Sequence, residues 1–239
     1  MRIETYFTAN EVAPGALADA TVVVIDVIRS TTSIVEALAN GARGIYPTVS
    51  TEEAVKLAQS LGRDDTLLCG ERRGQKVEGF DLGNSPGDFT REAVEGKRLV
   101  MSTTNGTRAF SLGHESSRML PCAFTNLSAV AAELVGLEDL VVLCAGREGR
   151  FSMADALCAG HLIAKVVKEA EEDHTLNDAT LAARALASRK PTKRLLEGTV
   201  GGKTLVDIGL AADLEICAEV DRHDLVAEML DQAITLAGA

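Results

Sequence analysis

Three short segments combine acids, guanidinium groups and hydroxyls in ways that suit phosphate chemistry. In Asp26-Val-Ile-Arg29-Ser-Thr-Thr-Ser33 a carboxylate and a guanidinium stand three residues apart, followed at once by four hydroxyls. Gly70-Glu71-Arg72-Arg73-Gly74 sets a carboxylate beside two arginines between glycines. Asn105-Gly106-Thr107-Arg108 offers backbone N–H groups, a hydroxyl and a guanidinium, the parts of an anion cradle. Its plainer reading is an Asn-Gly turn, but the segment opens toward a helix rather than a hairpin partner. Asp26, Glu71 and Asp81 are oxygen ligands of the kind that Mg²⁺ takes beside a phosphate. Asp155 is a fourth candidate ligand, although Ser152-x-x-Asp155 is also an ordinary helix start. The expected catalytic set is Asp26, Arg29, Glu71 and Arg108, the arginines stabilising transition-state charge. Ser30, Thr31, Arg72, Asn84, Ser85, Asn105, Gly106, Thr107 and Arg147 are expected to contact substrate.

A thiol mechanism is the main rival. Cys144-Ala-Gly-Arg-Glu-Gly-Arg150 has the Cys-x₅-Arg spacing of cysteine-dependent phosphatases, whose low-pKa thiolate attacks while the loop holds phosphate. Leu143 stands where a His usually precedes that Cys, and Phe151 stands where a hydroxyl usually follows the Arg. A buried Cys ending a strand is the simpler account. Another alternative is a non-catalytic anion-binding module with the same polar groups. The Asp-x-Asp, Arg-His-Gly and Walker patterns of other phosphate enzymes do not occur, and His114, His161, His174 and His223 have no metal-ligand spacing.

These residues need elements to aim them. Val22-Val-Val-Ile25 is a β-branched run suited to a strand buried on both faces, and Ile34–Ala39 continues as a helix that Asn40-Gly41 stops. Ile45–Val49, an edge strand by its Pro47, Thr66–Cys69, Arg98–Met101 and Leu140–Cys144 repeat the pattern of apolar strand, then Gly, hydroxyl and charge. Parallel strands would bring those polar ends to one rim. Gln75–Asp88 reads as a functional loop over the rim. Helices are expected over Ala54–Leu61, Leu127–Leu134, Ala154–Glu172 and Asp178–Ser188, with short helices in the tail Thr192–Ala239. The expectation is an α/β fold, three-layer α/β/α with a mixed, largely parallel sheet. It forms one domain over residues 1–239, or two intimately packed lobes with a boundary near residue 125.

Composition narrows the partners. A net charge of −11 opposes nucleic acid and anionic membranes, and two Tyr, six Phe and no Trp leave little for base stacking. Five cysteines in apolar surroundings suit reduced, buried thiols. Without an apolar leader or a membrane-length run the protein is expected to be cytoplasmic. The expected partner is a small phosphomonoester, with a homodimer left open.

Val24-Ile-Asp-Val-Ile-Arg-Ser-Thr-Thr32, Ala39-Asn-Gly-Ala42, Gly70-Glu-Arg72, Gly79-Phe-Asp-Leu-Gly-Asn-Ser-Pro86, Thr103-Thr-Asn-Gly-Thr-Arg108 and Cys144-Ala-Gly146 occur in this order. Together they resemble the 2-phosphosulfolactate phosphatase family of coenzyme M biosynthesis. The likeness runs from about residue 22 to 160, with a fainter echo at Gly209-x₃-Asp213-x₃-Cys217-x₃-Asp221. It implies an α/β/α fold with a mixed sheet, a Mg²⁺-dependent phosphatase, and sulfolactate as product.

Overall fold

The structure, a computed structural model, describes residues 1–113, 116–170 and 173–238. Its elements in chain order are β1 (Arg2–Tyr6), β2 (Thr21–Ile25), α1 (Ser30–Ala39), β3 (Gly44–Pro47), α2 (Thr51–Leu61), β4 (Thr66–Arg72), β5 (Gln75–Lys76), α3 (Arg91–Val94) and β6 (Arg98–Ser102). Then come α4 (Gly106–Ser111), β7 (Arg118–Cys122), α5 (Leu127–Glu133), β8 (Asp139–Cys144), α6 (Met153–Glu169), β9 (Thr175–Leu176) and α7 (Asp178–Leu186). The chain closes with α8 (Lys193–Glu197), α9 (Val200–Asp207), α10 (Asp213–Ala218), β10 (Ala227–Leu230) and β11 (Ala233–Leu236). The expected end of the Ala154–Glu172 helix at Glu172, and His114, lie outside the described residues.

The strands form two sheets rather than one. The first is wholly parallel, in the order β7-β2-β8-β1-β9. The second is mixed, β10-β11-β3-β6-β4-β5, with parallel pairing only among β3, β6 and β4. Strand β2 lies at the heart of the first sheet, and the period of two divides its side chains between two cores. Val23 and Ile25 join residues of α5 and α6. Val22 and Val24 join Ile34 and Leu38 of α1, Phe110 of α4, and Ile45 and Leu99 of the second sheet. The parallel sheet therefore has helices on both faces, giving the three-layer α/β/α arrangement. Full burial of each such side chain stabilises by about 1.5–3 kcal/mol, which is why the run tolerates no polar residue until Asp26.

Helix starts follow their side chains. Ser50, Ser152 and Asn177 accept from the amides of Glu53, Asp155 and Thr180, fixing α2, α6 and α7, each cap contributing about 1 kcal/mol. Four expectations change. Pro47 ends β3 rather than marking an edge, because the C-terminal hairpin adds β11 beside it at Ile234–Ile45. That hairpin stands where the tail was expected to hold only short helices. Strands β1, β5, β7 and β9 have no counterpart among the expected strands. Finally, the segment at Asp81–Gly83 does not arch over the rim. It runs parallel beside β4 through a Cys69–Leu82 bridge, with the Gly70 amide donating to the Leu82 carbonyl. All five cysteines are buried and free, as expected. Among the described residues no helix is long and apolar enough to cross a membrane.

Candidate active site

The carboxyl ends of β2 and β8 in one sheet, and of β4 and β6 in the other, face a common cleft, the usual place for ligands in α/β sheets. Two lobes make up the cleft. The first, about 40 Å³, is lined by Asp26, Arg29, Ser30, Glu71, Arg73, Asn84, Thr104, Asn105, Arg147, Glu148 and Thr204 among others. The second, about 110 Å³, is lined by Asp26, Asn105, Gly146, Arg147, the α6 start from Ser152 to Asp155, and Thr199 to Gly201. Asp26, Ile28, Asn105, Arg147 and Gly201 form the wall they share.

Asp26 is 4 % exposed at the point where β2 turns into α1. Thr31 fixes that turn, its hydroxyl accepting from the Asp26 amide at 3.0 Å and donating to the Asp26 carbonyl at 2.9 Å. Burial pushes the Asp26 carboxyl up to about 6, and the Glu71 carboxylate adds to the rise, while hydrogen bonds from Ser30 oppose it. Glu71 is held on two loops at once. Its oxygens accept from the Gly74 amide at 2.6 Å and the Thr104 amide at 2.7 Å, so the ends of β4 and β6 cannot part. Gly106 opens α4 hard against this centre. A Cβ there would stand 2.5 Å from Ser30 Cβ and 2.8 Å from an Asp26 carboxylate oxygen.

Asp155 bridges the neighbouring loops. One oxygen accepts from the Val27 amide at 2.9 Å and the other from the Gly146 amide at 3.2 Å. Burial first, and then the Asp26 charge, hold its carboxyl well above the usual range. Asp26 raised in part by Glu71, and Asp155 raised in part by Asp26, mark a centre that favours a cation or a proton.

Arg29 is 3 % exposed, yet Asp26 is not its partner. Its terminal nitrogens donate to Asp213 Oδ2 at 2.7 Å, Ser85 Oγ at 3.0 Å and the Gly74 carbonyl at 2.6 Å. It braces the cleft as a buried positive charge. Ser85 serves the same brace, donating to Asp213 Oδ2 at 3.0 Å, and does not line the cleft. Asn84 does line it, and its Oδ1 is buried with no hydrogen-bond partner. A buried acceptor left unsatisfied by protein signals a place prepared for something else. Asn105 Oδ1 accepts from the Glu148 amide at 2.8 Å, which leaves its amide nitrogen for the cleft.

Several expected residues are not brought here. Asp81 accepts from the Leu68 amide at 2.7 Å and from Arg63 at 3.1 Å. Because its segment runs beside β4, it aligns with Leu68, about 10 Å along the strand from Glu71. Arg72 donates to the Ser102 carbonyl and hydroxyl, tying β4 to β6 outside the cleft. Arg108 is exposed on α4 and lines neither lobe. Thr31, Gly106 and Thr107 shape the cleft from behind, Thr107 donating to the Thr103 carbonyl. Among the described residues no three His, Cys, Asp or Glu side chains gather in a metal-binding group. The expected quartet of Asp26, Glu71, Asp81 and Asp155 is therefore not assembled.

The thiol alternative fails on geometry. Cys144 is fully buried inside the sheet, and burial, then Asp155, push its thiol well above its ordinary value. A thiol so placed is inert. Arg150, its expected phosphate clamp, is exposed and, among the described residues, returns only backbone hydrogen bonds to Arg147.

The structure also adds residues. Arg73, which resembles an ordinary surface charge in sequence, lines the mouth of the first lobe from a tight turn with φ +54°. Gly201 and Thr204 of α9 close the cleft from more than fifty residues past β8, with no local motif to announce them. Asp213 was visible only within the faint C-terminal echo.

A family model described as 2-phosphosulpholactate phosphatase matches residues 6–232 of this chain. Curated relatives agree in name. The chain is similar to a probable 2-phosphosulfolactate phosphatase of Clostridium beijerinckii, 34 % identical over 98 % of this chain and 99 % of the relative. It is likewise similar to proteins of that name from Caldanaerobacter subterraneus subsp. tengcongensis, at 37 % over 96 % and 95 % of the two chains, and from Thermotoga petrophila, at 38 % over 90 % and 92 %.

Proposed function

The chain belongs to the 2-phosphosulpholactate phosphatase family, and on that premise we propose that it hydrolyses 2-phosphosulfolactate to sulfolactate and phosphate with Mg²⁺ as cofactor. The observation that supports this most is the cleft built on Asp26, where acidic and cationic groups meet around two adjoining lobes of about 40 and 110 Å³. The donor set suits the metal. Mg²⁺ is held through one or two carboxylates while keeping waters and substrate oxygens, so no triad of acids is needed. Asp26 and Glu71 would hold it, with the orphaned Asn84 Oδ1 as a neutral third oxygen. When bound, Mg²⁺ polarises the phosphoryl group and offsets its charge.

The chain's own residues do the rest. Asp26 sits at the junction of the lobes, fixed by Thr31 and by the α1 start, so its carboxylate meets the reacting group without reorganisation. Arg29, immobilised by Asp213 and Ser85, keeps the Gly74 turn and hence Glu71 in place. Arg147, Arg73 and the Asn105 amide present donors to the anionic substrate. In the net reaction a water oxygen bonds to phosphorus, the bond from phosphorus to the ester oxygen breaks, and a proton from the water goes to that oxygen, leaving the alcohol and inorganic phosphate.

Phosphate release from 2-phosphosulfolactate by the purified protein, before and after EDTA and again with Mg²⁺, tests the reading. Loss on chelation, recovery with Mg²⁺ and no turnover in Asp26→Asn are expected. Full activity in EDTA would remove the metal from the proposal, and no release from any phosphomonoester would favour an anion-binding module.

A further inference from the structure

The two lobes differ in what they offer. The first adds Glu71 to the shared Asp26, and although each Glu71 oxygen accepts one backbone amide it keeps a second lone pair that suits a cation with its phosphate. In the second the carboxyl of Asp155 is turned onto the Val27 and Gly146 amides. Asp26 lines this lobe as it lines the first, and the donors facing it are Arg147 and the Asn105 amide nitrogen, the latter left over because Oδ1 takes the Glu148 N–H. Arg29 contributes little to direct binding, since three internal acceptors occupy its terminal nitrogens. Arg72 and Arg108 lie outside both lobes. Arg147 is therefore the one arginine lining both lobes among the described residues.

Its position is not left to chance. Nη2 of Arg147 donates to Thr204 Oγ1 of α9 at 2.9 Å. On the same helix a Cβ added at Gly201 would lie 3.9 Å from Nη1, so α9 approaches the guanidinium closely without covering it. One nitrogen anchors and the rest of the fork stays available, the geometry that favours Arg over Lys for oxyanions.

We propose that Arg147, positioned by Thr204, reads the sulfonate, one of the two anionic groups that the substrate carries besides its phosphate, in the lobe beyond Asp26, and so sets the preference for a phosphomonoester bearing that group over one that keeps only the carboxylate. Resting on the phosphatase reading above, this assigns α9 to specificity. Arg147 binds substrate directly, whereas Thr204 is a positioning residue.

The test compares kcat/KM for 2-phosphosulfolactate and for 2-phospholactate, which lacks only the sulfonate. Wild type is expected to prefer the sulfonate ester strongly. Losing one charge-assisted contact should cut that preference by about tenfold to a hundredfold, so Arg147→Ala should bring the ratio of the two esters toward one. Arg147→Lys, which keeps charge and stem and guards against a folding failure, should restore only part of it. Thr204→Val should raise KM for the sulfonate ester more than it lowers kcat, and Thr204→Ser should rescue it. Equal kcat/KM for the two esters in wild type, or a ratio unmoved by Arg147→Ala, overturns the subsite and leaves the phosphatase standing. Hydrolysis of neither ester by wild type overturns both.

Discussion

Arg29 Nη1 and Asp213 Oδ2 lie 2.7 Å apart across 184 residues of chain, with side chains only 2 % and 10 % exposed. This ion pair, rather than one between Arg29 and Asp26, locks the start of α1 to α10. Removing one partner of a buried pair strands the other charge and typically costs about 3–5 kcal/mol. Asp213→Ala should therefore lose stability on that scale in urea unfolding. Arg29→Met combined with Asp213→Leu should lose less than the single change, because neither charge is then left alone. A single mutant as stable as wild type would refute the brace.

The raised Asp26 carboxyl makes a signed prediction. Its folded value, about 6, exceeds the ordinary 3.8, so between those values the folded protein keeps a proton that the unfolded chain has released. Stability must fall as pH rises through that window, by on the order of 3 kcal/mol once Asp26 is ionised. In EDTA, Asp26→Asn should gain on wild type from pH 4 to pH 7 and gain little beyond. Urea titrations at four pH values measure it, and a constant gap would contradict the assignment.

Gly106 leaves no room for a side chain. With a Cβ 2.5 Å from Ser30 and 2.8 Å from Asp26, Gly106→Ala must displace the carboxylate or the α4 start. A misplacement of about 1 Å can cost a hundredfold in rate, so kcat should fall at least that far while circular dichroism stays native. Retained kcat would mean that Asp26 does not need its observed position.

Cys144→Ala separates core from chemistry. The thiol packs among Ile25, Cys122 and Cys158, so its loss should leave activity within a few-fold of wild type and lower stability by about 1 kcal/mol. Complete inactivation of a folded Cys144→Ala protein would revive the thiol mechanism.

Much of this arrangement is legible in the sequence, because local physics determines it. The run Val22–Ile25 has to be a doubly buried strand, and Asp26 follows it because the strand's carboxyl end is where the chain leaves the core. The starts of α2 and α6 could be read from Ser50 and Ser152, since a cap acts within three residues. Parallel strands sharing a rim place Asp26 with Arg147 at the end of one sheet and Glu71 with Asn105 at the end of the other, whereas the meeting of the two rims, and of Asn84 with them, on one cleft is a tertiary result. Other features depended on contacts far apart in sequence. Asp81 sits in the same motif as Asn84, but pairing of its segment with β4 carries one to Leu68 and the other to the cleft. Arg72 and Arg73 are adjacent, yet the turn at Arg73 and Gly74 sends one to Ser102 and the other to the mouth. Likewise, only the packing of α9 and α10 against the first core brings Thr204 to Arg147 and Asp213 to Arg29. Residue type and spacing determine which groups are available. Which of them meet is decided by burial of distant apolar faces, a non-local term that no short window contains.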